Sequence, residues 1–146
     1  MRITAASATL LALVAAAPAL ADPPPGVVLK GFHAKVVATL AEFGHLAELN
    51  GKYQLRVTQV TYDPEGMMGQ HHHLGPGLRC VTQGELTYTM EGKTTVYRAG
   101  DCFTETGDVS HDSVNLGKTP IVLWNFEILP ASLPATKGSL TPIPAK

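Results

Sequence analysis

Between Tyr53 and Leu129 the chain is a succession of short runs rich in Val, Thr, Tyr and Ile, cut at close intervals by Gly, Asp and Pro. No run in this region is long enough, or spaced at 3.6 residues, to make a substantial helix. Residues of this kind suit a pleated, half-buried surface, and their turn punctuation sets strand ends. The segment Tyr53–Tyr62 (YQLRVTQVTY) places Tyr53, Leu55 and Val57 on one face, with a shift of register before Val60 and Tyr62. Asp63-Pro64-Glu65-Gly66 then reads as a turn. In GELTYTMEGKTTVY, Leu86, Tyr88 and Met90 alternate with threonines around Glu91-Gly92, the pattern of a β-hairpin. Ala99-Gly100-Asp101 is a further turn, and Pro120–Leu129 (PIVLWNFEIL) a last apolar strand. Short strands at this spacing point to an all-β sandwich or barrel.

The flanks are different. MRITAASATLLALVAAAPALA has one positive charge at Arg2, an apolar centre and a small-x-small ending at Ala19-Leu20-Ala21, the layout of a secretory signal peptide. Cleavage after Ala21 then leaves a soluble periplasmic or secreted chain with no membrane segment. Removing Arg2 from the 11 basic and 12 acidic side chains leaves a formal charge of −2. With no basic patch, a nucleic-acid or anionic-membrane partner is not expected. Residues 22–50 form an N-terminal arm: a stiff Pro23-Pro24-Pro25-Gly26 leader, a strand start at His33–Thr39, and a short irregular or helical segment at Leu40–Leu49 interrupted by Gly44. His33 and His45 in this arm read as solvent-facing. Residues 51–130 are the barrel. The tail, 131–146, is proline-punctuated, wrapping the surface or fraying.

The chemistry concentrates in two segments. In EGMMGQHHHLGPGLRCVTQGEL, extended backbone puts His71 and His73 on one face and His72 on the other. Two imidazoles on one face grip a metal ion if a further ligand arrives from elsewhere. GDCFTETGDVSHDSVN offers His111, after a turn and another short strand. Imidazole suits zinc, iron, copper and nickel alike, so metal identity is not readable from the ligands.

Together these segments resemble the two motifs of the cupin family. In the first, G-x5-H-x-H-x3,4-E-x6-G, this chain supplies His71, His73 and Gly84, with Gly66 near the opening glycine. In the second, G-x5-P-x-G-x2-H-x3-N, it supplies Gly100, His111 and Asn115. It departs from the pattern at Gly77, in place of the glutamate, at Thr106, in place of the proline, and at Asp108, in place of the glycine. The resemblance spans roughly residues 55–130. It implies a six- to eight-stranded jelly-roll barrel, a double-stranded β-helix, with one divalent metal ion held inside by His71, His73 and His111.

With Gly77 at the glutamate position, that first shell is three neutral imidazoles, a shell that resembles those of some cupin dioxygenases. An ion in it keeps its +2 charge and open positions, favouring an anionic chelating substrate such as an enolate, carboxylate or hydroxyketone. On this view Gly75-Pro76-Gly77 leaves room for a ligand, and glutamate placed at 77 restores a four-ligand shell. The competing reading is that Gly77 serves backbone shape. Fe(II) is the first choice because oxidative chemistry is common in similar cupins; Zn, Mn, Cu and Ni remain alternatives.

Glu105, six residues before His111, is the candidate catalytic side chain, as general base or fourth ligand, with a surface carboxylate the competing reading. Gln59, Gln70, Gln83, Tyr88 and Trp124 are candidate neighbours of the site; Tyr88 and Trp124 read rather as core aromatics, and Asn115 as a turn stabiliser. Cys80 and Cys102 pair as an intrachain disulfide or remain buried thiols in apolar strands. The functional expectation is an exported metal-dependent, dioxygenase-like oxidoreductase acting on a small molecule. Alternatives are a non-catalytic small-molecule or metal-binding protein and a metal-assisted isomerase or lyase. The sequence leaves a homodimer open.

Overall fold

The computed structural model describes residues 23–143; the signal-peptide segment lies outside them. Nine strands form one rolled sheet: β1 Leu29–Leu40, β2 Tyr53–His73, β3 Gly77–Gln83, β4 Glu85–Met90, β5 Lys93–Arg98, β6 Cys102–Glu105, β7 His111–Val114, β8 Ile121–Pro130 and β9 Leu140–Thr141. The order is β5-β4-β7-β2-β8-β3-β6, with β1 and β9 also pairing β2. The N-terminal arm is thus mostly strand: β1 lies antiparallel along β2, and only Gly44–Leu49 is a short 3-10 segment. Among the described residues no helix is long and apolar enough to cross a membrane.

β2 organises the barrel. Its first half pairs with β8, its second with β7 and β9. Asp63–Gly66, read from sequence as a turn, instead bends a continuous strand from one wall to the other. Glu65 takes φ 60° there, and Gly66 is packed so closely that a Cβ would lie 2.7 Å from the carbonyl oxygens of both Asp63 and Gly31. Asn115 stabilises this corner by donating to the Asp63 and Thr119 carbonyls, each at 2.9 Å. The β4–β5 hairpin turns at Glu91-Gly92 with both φ positive, as a tight two-residue hairpin turn requires.

The inner face reads as rows across the strands. Val60, Leu123 and Val81 are cross-strand partners and sit in an apolar core with Tyr62, Leu86, Phe103 and Ile121. The next row is Thr58, Asn125, Arg79 and Phe103, and the next Arg56, Glu127, Gly77 and Glu105. The barrel is therefore apolar at one end and charged at the other. This corrects the sequence reading of Tyr53–Tyr62: the buried face is Gln54, Arg56, Thr58, Val60 and Tyr62, with unbroken alternation. A polar inner face is stable because the C-terminal segment supplies its partners. Arg56 donates to the carbonyls of Lys137 at 2.8 Å, Leu133 at 2.7 Å and Pro134 at 3.1 Å, and Gln54 to those of Pro130 and Leu133. The tail wraps the barrel.

Cys80 and Cys102 are direct cross-strand partners on β3 and β6 and form a disulfide, Cα–Cα 4.1 Å. They face outward, Cys80 half-buried and Cys102 exposed, not into apolar surroundings as the sequence suggested.

Candidate metal centre

Strand alternation delivers His71 and His73 inward and His72 outward, where its backbone pairs with Thr141. His111, first residue of β7, is the cross-strand partner of His71. The three inward imidazoles are buried, and one nitrogen of each lies within 4.8 Å of the others. Ring centroids of His71 and His111 are 4.2 Å apart, and Tyr88 stacks on His111 at 5.1 Å.

Each imidazole is oriented through its other nitrogen. His71 Nδ1 lies 2.8 Å from the Gly69 carbonyl and His111 Nδ1 2.9 Å from that of Val109. Carbonyls only accept, so both Nδ1 atoms carry the proton and both Nε2 atoms present lone pairs. His73 Nδ1 lies 3.1 Å from Glu127 Oε1 and 3.1 Å from Ser139 Oγ, which fixes the same tautomer. The Nε2 atoms of His71 and His73 then face each other at 3.2 Å, an approach that a shared cation, a metal ion or a proton, relieves. Burial, followed by the neighbouring His73 and His111, holds the His71 pKa down at about 2, and burial likewise lowers His111, so neither imidazole supplies the missing charge as a proton.

Glu105 lies beside two of the three imidazoles. It is buried, pointing inward from the end of β6, and is not the surface carboxylate of the competing reading. Its Oε2 lies 3.3 Å from His73 Nε2 and its Oε1 3.4 Å from His111 Nε2. Donors bound at about 2.1 Å to a common ion are about 3.0–3.4 Å apart, so these spacings fit one. Arg79 Nη2 is 2.8 Å from Glu105 Oε2, but its hydrogen bond goes to Glu127 Oε1 at 3.0 Å. That Glu105 oxygen is thus held by ion pairing with Arg79, without an aligned hydrogen bond.

The sequence reading of an empty corner at residue 77 does not hold. Gly77 pairs with Glu105 on one side and Glu127 on the other. A Cβ there would run into Arg79 Nη1 and lie 2.5 Å from the Phe126 carbonyl oxygen. Glycine gives Arg79 the space to fold back between two carboxylates. Glu105, opposite Gly77 on the adjacent strand, brings a carboxylate to the same row of the barrel. Burial pushes the Glu127 carboxyl up, but the His73 hydrogen bond, the Arg79 charge and Ser139 outweigh it and hold the pKa at about 2. Tyr88 is pushed up by burial and by Glu105 and keeps its proton.

Sequence reasoning missed Arg79, Glu127 and Ser139. The first two carried a signal: Glu127 shares strand parity with Ile121 and Leu123, and Arg79 with Val81, so each is a charge on a core-facing position. Ser139, in the tail, carried none. Gln59, Gln70, Gln83 and Trp124 point away from the centre, and Trp124 is a half-buried outer residue, not a core one. His33 is exposed and bonded to Asp63 at 2.9 Å, and His45 is exposed.

Solved structures with the same barrel include KdgF from Halomonas sp., at 21% identity and TM-score 0.51, over 68% of this chain and 84% of that one. A cupin-like protein from Thermotoga maritima aligns at 17% identity and TM-score 0.54, over 75% and 77%. The polyketide cyclase RemF from Streptomyces resistomycificus aligns at 14% identity and TM-score 0.55, over 80% of each chain. At these identities the likeness is one of fold. The comparison with curated proteins found no match. Residues 58–128, spanning all three histidines and both flanking carboxylates, match the cupin domain, and this chain, a mostly β barrel with a three-histidine cluster inside, belongs to the cupin superfamily.

Proposed function

We propose that the protein is an exported cupin enzyme holding one divalent ion through His71, His73, His111 and Glu105, and acting as a dioxygenase-like oxidoreductase on a small chelating molecule. The observation that carries the metal is the convergence of three buried imidazoles, one nitrogen of each within 4.8 Å of the others, with Glu105 beside two of them. Bound there, an ion supplies Lewis acidity and, if Fe(II) or Cu, redox chemistry. The hydrogen bonds at Nδ1 fix the three ring planes, and Arg79 holds Glu105 and Glu127 in place. An ion held by those four groups would keep room beside them for a small chelating substrate.

Redox chemistry is favoured over isomerisation by what surrounds the site. Glu105 is taken up by the cluster, Glu127 by Arg79, His73 and Ser139, and Tyr88 keeps its proton. None of these is a free base, and proton-transfer chemistry needs one. The disulfide supports export, since such bonds persist in oxidising compartments.

Elemental analysis is expected to find one ion per chain, lost in His71→Ala and kept in His72→Ala; the reverse pattern would refute the assignment. Oxygen consumption by Fe(II)-loaded protein, across a panel of enolate-forming and hydroxyketone substrates, tests the reaction. Turnover without oxygen uptake would identify an isomerase or lyase. Tight binding without turnover would identify a binding protein.

A further inference from the structure

The chamber at the histidines measures about 20 Å³, room for a water or two but not for the body of a substrate. It shares Val60, Met68, His73 and Asn125 with a second cavity of about 580 Å³, within the size range of small-molecule sites. The floor of that cavity is the inner face of β2 and β8. Its walls come from both ends of the described chain: Leu29 and Phe32 from β1, and Leu133, Lys137 and Leu140 from the tail.

Two of its polar side chains are deeply buried and incompletely bonded. Arg56 is 1% exposed, Asn125 8%, and neither Arg56 Nε nor Asn125 Oδ1 has a hydrogen-bond partner among the described residues. The rest of the Arg56 guanidinium donates to main-chain carbonyls and to Gln54, none of which carries a charge. Glu127, its cross-strand partner, is already committed to Arg79, His73 and Ser139. Lys137 adds a second positive charge at the wall. The cavity thus combines an N–H donor, an amide oxygen and apolar walls, with two cations, Arg56 and Lys137, against one carboxylate, Glu127, in its lining. Arg56 and Asn125 are diagonal neighbours on paired strands, so the two groups stand roughly 7–8 Å apart at the backbone. Buried polar atoms left unpaired cost stability unless a ligand satisfies them.

We propose that this cavity binds a small hydroxy acid with an apolar body. Its carboxylate lies against Arg56 Nε and Lys137, a hydroxyl donates to Asn125 Oδ1, and the hydrocarbon packs on Leu29, Phe32 and Leu140. The assignment to a substrate rests on the proposed metal-dependent reaction, because Asn125 borders the histidine chamber; binding of the acid itself does not need the ion.

The test is calorimetric titration of the metal-stripped protein with 3-hydroxyoctanoate, octanoate and 1,3-octanediol. 3-Hydroxyoctanoate is expected to bind at least about tenfold more tightly than the diol, the equivalent of one charge-assisted hydrogen bond. Asn125→Leu should abolish the difference between 3-hydroxyoctanoate and octanoate. Arg56→Lys should weaken both acids about fivefold or more while leaving the diol unchanged, since lysine keeps charge but not the Nε geometry. Because Arg56 also fastens the tail, Lys137→Gln, at an exposed position, provides a second variant with the same expected selectivity. Equal binding of the three probes, or no binding of any, overturns the proposal. Loss of metal or of turnover, with the acid preference intact, overturns the enzymatic reading and not this one.

Discussion

Substituting Gly77 sets the structure directly against the family motif, which carries glutamate there. A Cβ on residue 77 would sit 2.5 Å from the Phe126 carbonyl oxygen and 3.0 Å from Glu127 Cγ, and would collide with Arg79 Nη1. The guanidinium can swing away, but the carbonyl belongs to the β3–β8 ladder and cannot. Overpacking of this kind costs about 1–3 kcal/mol. Moving Arg79 also strips Glu105 and Glu127 of their shared cation, a change that costs about 3–5 kcal/mol when a buried pair is broken outright. With Arg79 shifted but both ion pairs kept, Gly77→Ala is expected to cost about 2 kcal/mol from overpacking, lowering Tm by about 5–10 °C in a domain of this size, and more if the pairs break. Gly77→Glu adds a third carboxylate between two others and should cost more, with metal bound no better than in the wild type. Circular-dichroism melts of metal-free protein and elemental analysis after loading read both effects. If Gly77→Glu melted at or above the wild type and held metal more tightly, Arg79 would have another place to go and the space argument would be wrong.

Glu105→Gln keeps the shape but removes the ligand charge, and competition with a chelator should show metal affinity down about tenfold or more; unchanged affinity would leave a three-histidine shell. Replacing both Cys80 and Cys102 by serine opens a covalent link across a sequence separation of 22 and should destabilise by about 3 kcal/mol in urea melts, where a neutral result would remove the disulfide from the stability account. Glu127 has its folded pKa depressed from 4.5 to about 2, so its contribution is complete above about 4.5 and is lost as pH falls towards 2. His71, depressed from 6.5 to about 2, acts in the same direction, so metal-free stability should begin to fall below about pH 6.5; a flat profile down to pH 4 would contradict both shifts. N-terminal sequencing of the native protein should start at Asp22, and Met1 would refute export by this signal.

The strands, the hairpin and the facing of the three histidines were legible because alternation is a local property: His72 could only point away from its neighbours. The polarity of the inner face was not. Gln54, Arg56 and Thr58 look like an outer face until the tail, some 80 positions on, is seen to satisfy Arg56. The same limit hid Ser139. Strand parity across the turn between Glu105 and His111 could not settle where Glu105 points; the pairing of β6 with β3 settles it by setting Glu105 opposite Gly77. Trp124 misled because an apolar strand offers both its faces as core, and only pairing decides which is inside.

The charge of the centre follows from the same pairing. Three neutral imidazoles leave an ion its full +2, the value that the motif comparison suggested. Two buried carboxylates against one guanidinium bring a further −1, so the loaded centre carries +1. Arg79 is what keeps it positive: with Glu105 and Glu127 uncompensated, the loaded site would be neutral and would offer an anionic chelate no electrostatic advantage. Gly77 makes room for Arg79, and Arg79 pairs with Glu105 and Glu127 together. Glu127 also orients His73 and partly offsets the charge of Arg56, its partner on β2. One missing side chain on β3 thus sets the residual positive charge that the centre would carry if loaded with a divalent ion.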